Sequence, residues 1–180
     1  MQYSKKGFTV ALWDVFNYSD YNVSSGSFPY GNFGNKDYFD YSKTSRHFLE
    51  ASLSYDVPKT GLSLFYSTIV FGRDRNSIAS SSTQSNRYSS YFRTSYSINT
   101  KSGVTVTPYV SYGWAFNSKD GGTFWQWTSN ATSKSNFNEI GFDFKKKIKI
   151  TEKWSVTANA GIVASPVNKT VNGLFGITLF

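Results

Sequence analysis

Two neighbouring stretches near the C-terminus alternate apolar and polar side chains at every second position. In residues 139–150 one face is apolar apart from Lys146, whereas the intervening positions are polar or charged. After a short turn at Thr151 and Glu152, the alternation resumes in residues 154–165. A period of two on both sides of a turn is typical of β-strands, and a helix would not keep these faces apart. The pattern therefore predicts a β-hairpin.

The same alternation predicts six further strands along the chain. They cover about residues 7–17, 45–57, 62–72, 88–98, 104–114 and 172–180. The connections are long at 18–44, 73–86 and 116–135, tight at 58–61, 99–103 and 151–152, and of modest length at 166–171. This order predicts one antiparallel sheet, with tight turns at one end and mostly longer loops at the other.

Two positions, Asp14 and Pro108, fit the alternation poorly. Asp14 falls on the apolar face, so we expect a bulge near Trp13 and Asp14 or the end of a strand. Pro108 removes a backbone donor from the middle of a strand and also predicts a bulge. Strict alternation in residues 62–72 assigns Phe71 to the same face as Phe65.

Strand length and aromatic placement favour an apolar face that points outward. Most predicted strands have about ten residues or more, near the ~9–11 that a tilted strand needs to cross a bilayer, whereas soluble strands cluster around 5–6. The opposite sense would place Lys145 and Lys147 in lipid, at about 2–4 kcal/mol each near the midplane. Aromatic residues also lie where apolar faces meet loops, as interfacial girdles do. These residues are Tyr88, Tyr96, Tyr112, Trp114 and Trp154.

The predicted fold is therefore an all-β, closed antiparallel transmembrane β-barrel of about eight strands. It forms one domain over residues 1–180, with long external loops and short periplasmic turns. A lipocalin-like soluble barrel, with the apolar face inside, is the alternative, and it would fold in water without detergent.

The C-terminal strand carries a resemblance to a known family. Phe175, Ile177 and Leu179 form its more apolar face, and Phe180 ends the chain at the rim. An aromatic residue that closes an amphipathic strand resembles the assembly signal of Gram-negative outer-membrane β-barrel proteins, although Thr178 stands where that signal has an apolar residue. The resemblance implies recognition of this strand by the barrel-assembly machinery.

Two groups within that family are similar to this chain. The number of strands resembles the small outer-membrane protein A and X class. Residues 62–72, 145–152 and 174–179 look more like TorF-type porin-like proteins, which implies strands beyond those counted here. Because residues 1–6 precede no apolar segment of the kind that a signal peptide needs, we expect either a mature form with an added Met or the C-terminal part of a longer barrel.

Composition and charge limit the partners. The 180 residues contain no cysteine and carry a net charge of +8. No apolar run reaches the ~18 residues of a helical membrane span. A positive charge without a basic stripe or a known module predicts attraction to outer-membrane lipid and lipopolysaccharide, not to nucleic acid. The aromatic long loops predict a protein partner, with the candidate contacts Tyr18, Tyr21, Phe28, Tyr30, Phe33, Trp125 and Trp127.

The inward polar face predicts a charged lumen. Arg93 lies at a depth from which it could bridge Glu50 and Asp143 two strands away on either side. An eight-stranded barrel is only just filled by side chains, so the simplest interpretation is a plug of paired charges, and a very narrow selective pore is the second. The predicted network comprises Glu50, Arg93, Glu139, Asp143, Lys145 and Lys147.

Catalysis finds little support in the sequence. His47 is the only histidine, so a nucleophile–base site of a lipid-modifying enzyme would have to use it. It falls on the outward face, and no Ser-x-x-Lys or Gly-x-Ser-x-Gly pattern accompanies it. We therefore expect an interfacial histidine and no enzyme activity, and we expect no cofactor or metal ion.

Overall fold

The structure is a computed structural model that describes residues 1–16, 38–39, 41, 47–72, 74–76, 85–119, 123, 134–152 and 154–179. In these residues the chain is all-β, with ten strands in one antiparallel sheet and no helix. The described segments thus contain no helix that is long and apolar enough to span a membrane. The antiparallel all-β fold predicted from the alternation is confirmed.

The strands follow one another through the sheet almost in chain order. They are β1 (Gln2–Lys5), β2 (Phe8–Phe16), β3 (His47–Asp56), β4 (Leu62–Gly72), β5 (Ser89–Tyr96), β6 (Ile98–Asn99), β7 (Val104–Ala115), β8 (Ser135–Lys149), β9 (Ser155–Ser165) and β10 (Thr170–Leu179). The order in the sheet is β1-β2-β3-β4-β5-β7-β8-β9-β10, and β6 pairs with β7. In the described residues no backbone pairing joins β1 to β10, so hydrogen bonds do not close the sheet.

The strand at one edge, β1, is absent from the sequence prediction. It forms a hairpin with β2 through Lys6 and Gly7, whose φ angles are both positive, at 50° and 86°. Two successive residues with positive φ are typical of the type I′ turn that joins twisted strands. The hairpin adds a short strand to the predicted set, and the division of predicted strand 88–98 into β5 and β6 accounts for the rest of the difference in number.

Pro108 explains that division. It pairs with Phe142 of β8 in regular register, so the bulge expected at the proline is wrong. The backbone carbonyl of Val104 accepts a hydrogen bond from the backbone N–H of Thr100, so the backbone groups of Val104 point toward the strand before β7. Backbone groups of every second residue point to the same side, so those of Pro108 point toward β5. Because proline has no backbone N–H, it cannot donate a hydrogen bond to β5 at Tyr96, where β5 ends.

The sheet contains two register shifts, neither at a predicted position. One lies opposite Leu49 and Glu50 and leaves Val70 as the extra residue of β4. Because of this extra residue, Phe71 pairs with Leu49 and lies on the outer face. The prediction that Phe71 points inward is therefore wrong. At Trp13 and Asp14 the pairing with β3 is regular, and Asp14 lies near the end of its strand.

The second shift lies in β8 and leaves Asn138 as the extra residue opposite Ser111 and Tyr112 of β7. A bulge breaks the alternation of faces, so the pattern stops at Glu139 in the sequence although β8 begins at Ser135. The predicted strand is therefore too short at its start.

The sheet curves strongly. Side chains from β3, β4, β5, β8 and β9 line one cavity, although several strands separate β3 from β9 in the sheet. We call the face that carries this cavity the concave face. Tight turns, at 6–7, 57–61, 100–103 and 150–154, join strands at what we call the turn end. The opposite, connection end has the three long connections and the four-residue turn at 166–169.

Candidate functional site

The concave face is polar and largely buried, whereas the convex face is apolar and largely exposed. Ser67 and Ser111 of the concave face are 0% and 1% exposed, whereas Phe142 and Ile162 of the convex face are 49% and 56% exposed. The few buried apolar side chains, Ala11, Phe48, Ile69, Tyr109 and Ala115, lie on the concave face. This arrangement is the reverse of a water-soluble sheet, which buries its apolar face.

Arg93 and Asp143 form an ion pair on the concave face. Arg93 Nη2 of β5 donates a hydrogen bond of 2.9 Å to Asp143 Oδ2 of β8. The guanidinium carbon lies 3.6 Å from the centroid of the Tyr109 ring on β7, the strand between them. The guanidinium group therefore makes a cation–π contact with Tyr109 and a charged hydrogen bond with Asp143.

Glu50 and Glu139 lie apart from this pair, and Arg93 bridges no second carboxylate among the described residues. Tyr91 donates a 3.0 Å hydrogen bond from its hydroxyl to Glu139 Oε2. Glu50 lines a cavity of about 340 Å³ together with Glu139 and Tyr91. The predicted network therefore divides into an arginine–aspartate pair and two carboxylates that share a cavity.

The lysines of the concave face lie toward the turn end. Lys145 lines a cavity of about 530 Å³ together with Asp143. Lys147 lines a third cavity, of about 480 Å³, with Glu152 and Trp154. The charged side chains are therefore sorted along β8, with Glu139 nearer the connection end and the lysines nearer the turns.

Aromatic side chains gather near both ends of the sheet. Toward the connection end, the Tyr112 ring lies 6.1 Å from Trp114 and 5.2 Å from Phe137. Toward the turn end, Tyr96 and Trp154 are about half exposed. Tyr88, at the start of β5, is also exposed and has a positive φ of 52°. All five aromatic residues predicted for the girdles are thus near strand ends.

His47 belongs to a cluster that the sequence did not reveal. It is 1% exposed on the convex parity of β3, and its Nδ1 lies 2.7 Å from Asp14 Oδ1. Its Nε2 faces the backbone carbonyl of Tyr38. Both partners, Asp14 Oδ1 and the Tyr38 carbonyl, are hydrogen-bond acceptors that face the two ring nitrogens.

The residues around His47 come from the connection that follows β2. The Tyr41 ring stacks on the imidazole with centroids 4.3 Å apart, and its hydroxyl donates to Asp14 Oδ2 at 3.0 Å. That hydrogen bond raises the pKa of Tyr41. The cluster therefore attaches the end of the connection to the sheet.

A second polar cluster lies at the connection end, and it too was not predicted. Asp74 accepts hydrogen bonds from the backbone N–H and the hydroxyl of Ser89, at 2.6 and 2.8 Å. Asn76 donates to the backbone carbonyl of Asn117 at 2.8 Å, and Lys119 N–H donates to Asn76 Oδ1 at 2.6 Å. These bonds join the connection between β4 and β5 to the one after β7. Serine and asparagine richness was the only sequence signal.

The last strand presents Phe175 and Ile177 outward, in the register expected for them, whereas Leu174 pairs with Gly161 on the concave face. Phe175 pairs with Ala160, and Ile177 with Ala158, on the convex face. Both side chains are strongly exposed. Leu179 ends β10 in the same register. Phe180 and the predicted loop contacts Tyr18, Tyr21, Phe28, Tyr30, Phe33, Trp125 and Trp127 lie outside the described residues.

The described residues bring no three histidine or acidic side chains together as a metal site. Comparison with protein-family models, with curated protein sequences and with solved structures finds no significant match to this chain. The class that the fold defines is an all-β, single-sheet protein with a polar concave face.

Proposed function

We propose that this chain is an integral outer-membrane β-barrel protein whose lumen is the polar concave face. The observation that carries the proposal is the reversal of exposure across the sheet. Phe142 and Ile162, neighbours on β8 and β9, stand about half exposed, while Gly141 and Gly161 on the other face are buried. Apolar side chains in that position are stable against lipid and costly in water.

The dimensions of the sheet support a bilayer environment. On β8 the outward apolar side chains extend from Phe137 to Ile148. That distance is ~36 Å of strand at about 3.3 Å per residue, which a tilt of about 40° reduces to ~28 Å, near the ~25 Å apolar band of outer-membrane barrels. Aromatic residues lie near both ends of the band, as in an interfacial girdle.

A lipocalin-like soluble barrel is the weaker alternative. Such a barrel encloses an apolar cavity, whereas the cavities on this concave face contain the charged side chains of Glu50, Asp143 and Lys145 beside apolar ones such as Leu174 and Phe65. The soluble alternative would also leave the apolar convex face in water, and monomeric proteins rarely expose large apolar patches.

The proposed barrel acts as a structural or interaction protein in preference to an open pore. Large side chains occupy the concave face, and Phe65 contacts Tyr91 with ring centroids 6.1 Å apart. Arg93 extends across β7 to Asp143. Interiors of about eight strands leave little room beyond their own side chains. A very narrow porin-like channel through the charged cavities is the second candidate.

The partners we propose follow from charge and from the C-terminal strand. A net charge of +8 favours anionic lipopolysaccharide and outer-membrane lipid. Apolar side chains outward on β10 suit recognition by the barrel-assembly machinery of a Gram-negative bacterium. On the number of strands we propose a relation to the small outer membrane protein A and X class, and on residues 62–72, 145–152 and 174–179 a relation to TorF-type porin-like proteins.

Refolding into detergent micelles and lipid vesicles tests the proposal. We expect the unheated protein to migrate differently from the boiled protein in gel electrophoresis, as a stable barrel does, and to resist added protease except in its connections. A detergent-free, monodisperse monomer in aqueous buffer would contradict the membrane barrel and favour the soluble alternative.

A further inference from the structure

The cavity shared by Glu50 and Glu139 is lined mainly by side chains that carry oxygen atoms. It has a volume of about 340 Å³. Glu139 accepts a hydrogen bond from Tyr91, but within the described residues neither carboxylate forms a salt bridge. Two carboxylates thus face one space without a salt-bridged cation from the described part of the chain. The lining consists of Glu50, Phe65, Ser67, Tyr91, Asn138, Glu139 and Ser165.

Both register shifts of the described sheet lie at this cavity. The bulge of β8 sends two successive side chains, Asn138 and Glu139, into the cavity, where regular alternation would send one. The bulge of β4 lies opposite Glu50, at the other side of the cavity. Bulges often re-aim side chains beside functional sites. Here they bring oxygen donors from distant strands to one place.

Two further oxygens of the lining have no partner within the described protein. Ser67 is 0% exposed and its hydroxyl makes no hydrogen bond, and Asn138 is 5% exposed with its side-chain oxygen unbonded. Both side chains line the cavity. A buried oxygen without a partner is costly, so these two atoms point to a bound species that donates or is positively charged.

We propose that this cavity binds a hydrated Ca²⁺ ion. Carboxylate, amide and hydroxyl oxygens are the donors that Ca²⁺ prefers, and it accepts six to eight of them in irregular geometry. Mg²⁺ requires a closer approach to octahedral geometry, which donors from separate strands do not favour. At ~30 Å³ per water, the volume allows the ion to keep part of its hydration shell. The inference rests on the concave face being the enclosed interior of the proposed barrel.

Calorimetric titration of the refolded, lipopolysaccharide-free protein in a nonionic detergent, with CaCl₂ as the probe, tests the site. We expect saturable binding with a Kd on the order of 0.1–1 mM, the range of weak extracellular calcium modules. The double variant Glu50→Gln/Glu139→Gln should bind at least ten-fold more weakly. The matched control Glu152→Gln, which removes a carboxylate from a different cavity, should bind as the parent does.

A variant that gains Ca²⁺ affinity provides an independent test, because it adds a carboxylate to the cavity and removes none. Asn138→Asp adds a third carboxylate to the same lining and should tighten Ca²⁺ binding several-fold. No saturable binding by the parent, or equal affinity in the double variant, would overturn the calcium site. Tighter binding of Mg²⁺ than of Ca²⁺ would overturn the ion assignment.

The barrel proposal and the calcium site fail in different ways. Gel mobility before and after boiling is measured for each variant in the same detergent. If every variant retains the heat-dependent shift and none binds Ca²⁺, the site is wrong and the barrel stands. If the parent itself lacks the shift, the barrel proposal is wrong.

Discussion

Arg93 of β5 reaches across β7 to donate a hydrogen bond to Asp143 of β8, with the Tyr109 ring beneath its guanidinium. We expect Arg93→Met to destabilise the fold by about 1–2 kcal/mol, because the charged hydrogen bond and the cation–π contact are both lost. The cost is below that of a fully buried pair because the side chains are 32% and 47% exposed.

Equilibrium unfolding by urea in lipid vesicles, followed by tryptophan fluorescence, measures this cost. Lys101→Met, in the tight turn before β7, is the matched control and should leave the free energy of unfolding unchanged. Arg93→Met/Asp143→Leu should be milder than the single Arg93 variant. A single variant as stable as the control would mean that the pair does not form.

Gly113 leaves space for the buried side chain of Asn138. A Cβ atom on Gly113 would lie 2.5 Å from Asn138 Nδ2. We expect Gly113→Ala to cost about 1–3 kcal/mol through overpacking, measured by the same unfolding experiment. Adding Asn138→Ala should restore part of the loss. Gly173→Ala is the control, since a Cβ atom added there would meet nothing within 4 Å, and an equal cost at that position would refute the explanation.

Asp14 faces Nδ1 of His47 and also accepts a hydrogen bond from Tyr41, so it connects the two side chains. We expect Asp14→Asn to remove the carboxylate and release the Tyr38 and Tyr41 backbone, so that chymotrypsin cleaves at these residues several-fold faster under native conditions. Asp56→Asn, at the turn end, is the control. Unchanged cleavage rates in Asp14→Asn would show that the cluster does not hold the connection.

Ile162→Arg separates a lipid-facing surface from a water-facing one. Ile162 is 56% exposed on the convex face. In vesicles we expect the substitution to cost about 2–4 kcal/mol, the range for arginine near the bilayer midplane, in the free energy of folding. Ser102→Arg, in an exposed turn, should be neutral. If Ile162→Arg is equally neutral, the convex face does not contact lipid.

The isolated chain should conduct poorly or not at all. Phe65, Tyr91, Tyr109 and Arg93 occupy the concave face, and wide aqueous channels belong to barrels of about 16–18 strands. We expect no stable single-channel steps in planar bilayers. Steps whose ion selectivity changes with Arg93→Ala would instead establish the narrow channel.

Alternation of side chains was sufficient to predict the regular parts of the fold. The bounds of β4 agree with the prediction at Leu62 and Gly72, and the faces of β9 follow directly from its pattern. Alternation failed at Val70 and Asn138, where one extra residue reverses the parity that follows. A bulge is decided by pairing with the next strand, and a single sequence does not contain that information.

The sequence predicted some charged members of the candidate site and one of its contacts. Charged residues of inward parity were expected to meet, and Arg93 does meet Asp143. The expectation that Arg93 also reaches Glu50 assumed equal depth on every strand. The β4 bulge and the stagger of the strands determine which side chains lie at the same depth in the sheet. Glu50 therefore shares its cavity with Glu139 and does not reach Arg93.

The short N-terminal hairpin covers only part of the edge of β2, so the edge of the sheet is formed by β1 in one part and by β2 in the other. β1 pairs with β2 only from Phe8 to Ala11, and Met1 adds bonds to Leu12. Above that level, Trp13–Phe16 have no neighbouring strand on this side among the described residues. A strand that docks here would meet β1 below and β2 above, offset by about 4.8 Å. A straight strand cannot pair with both β1 and residues Trp13–Phe16 of β2. This edge of the sheet therefore accepts only a strand that bends, or one that ends where β1 begins.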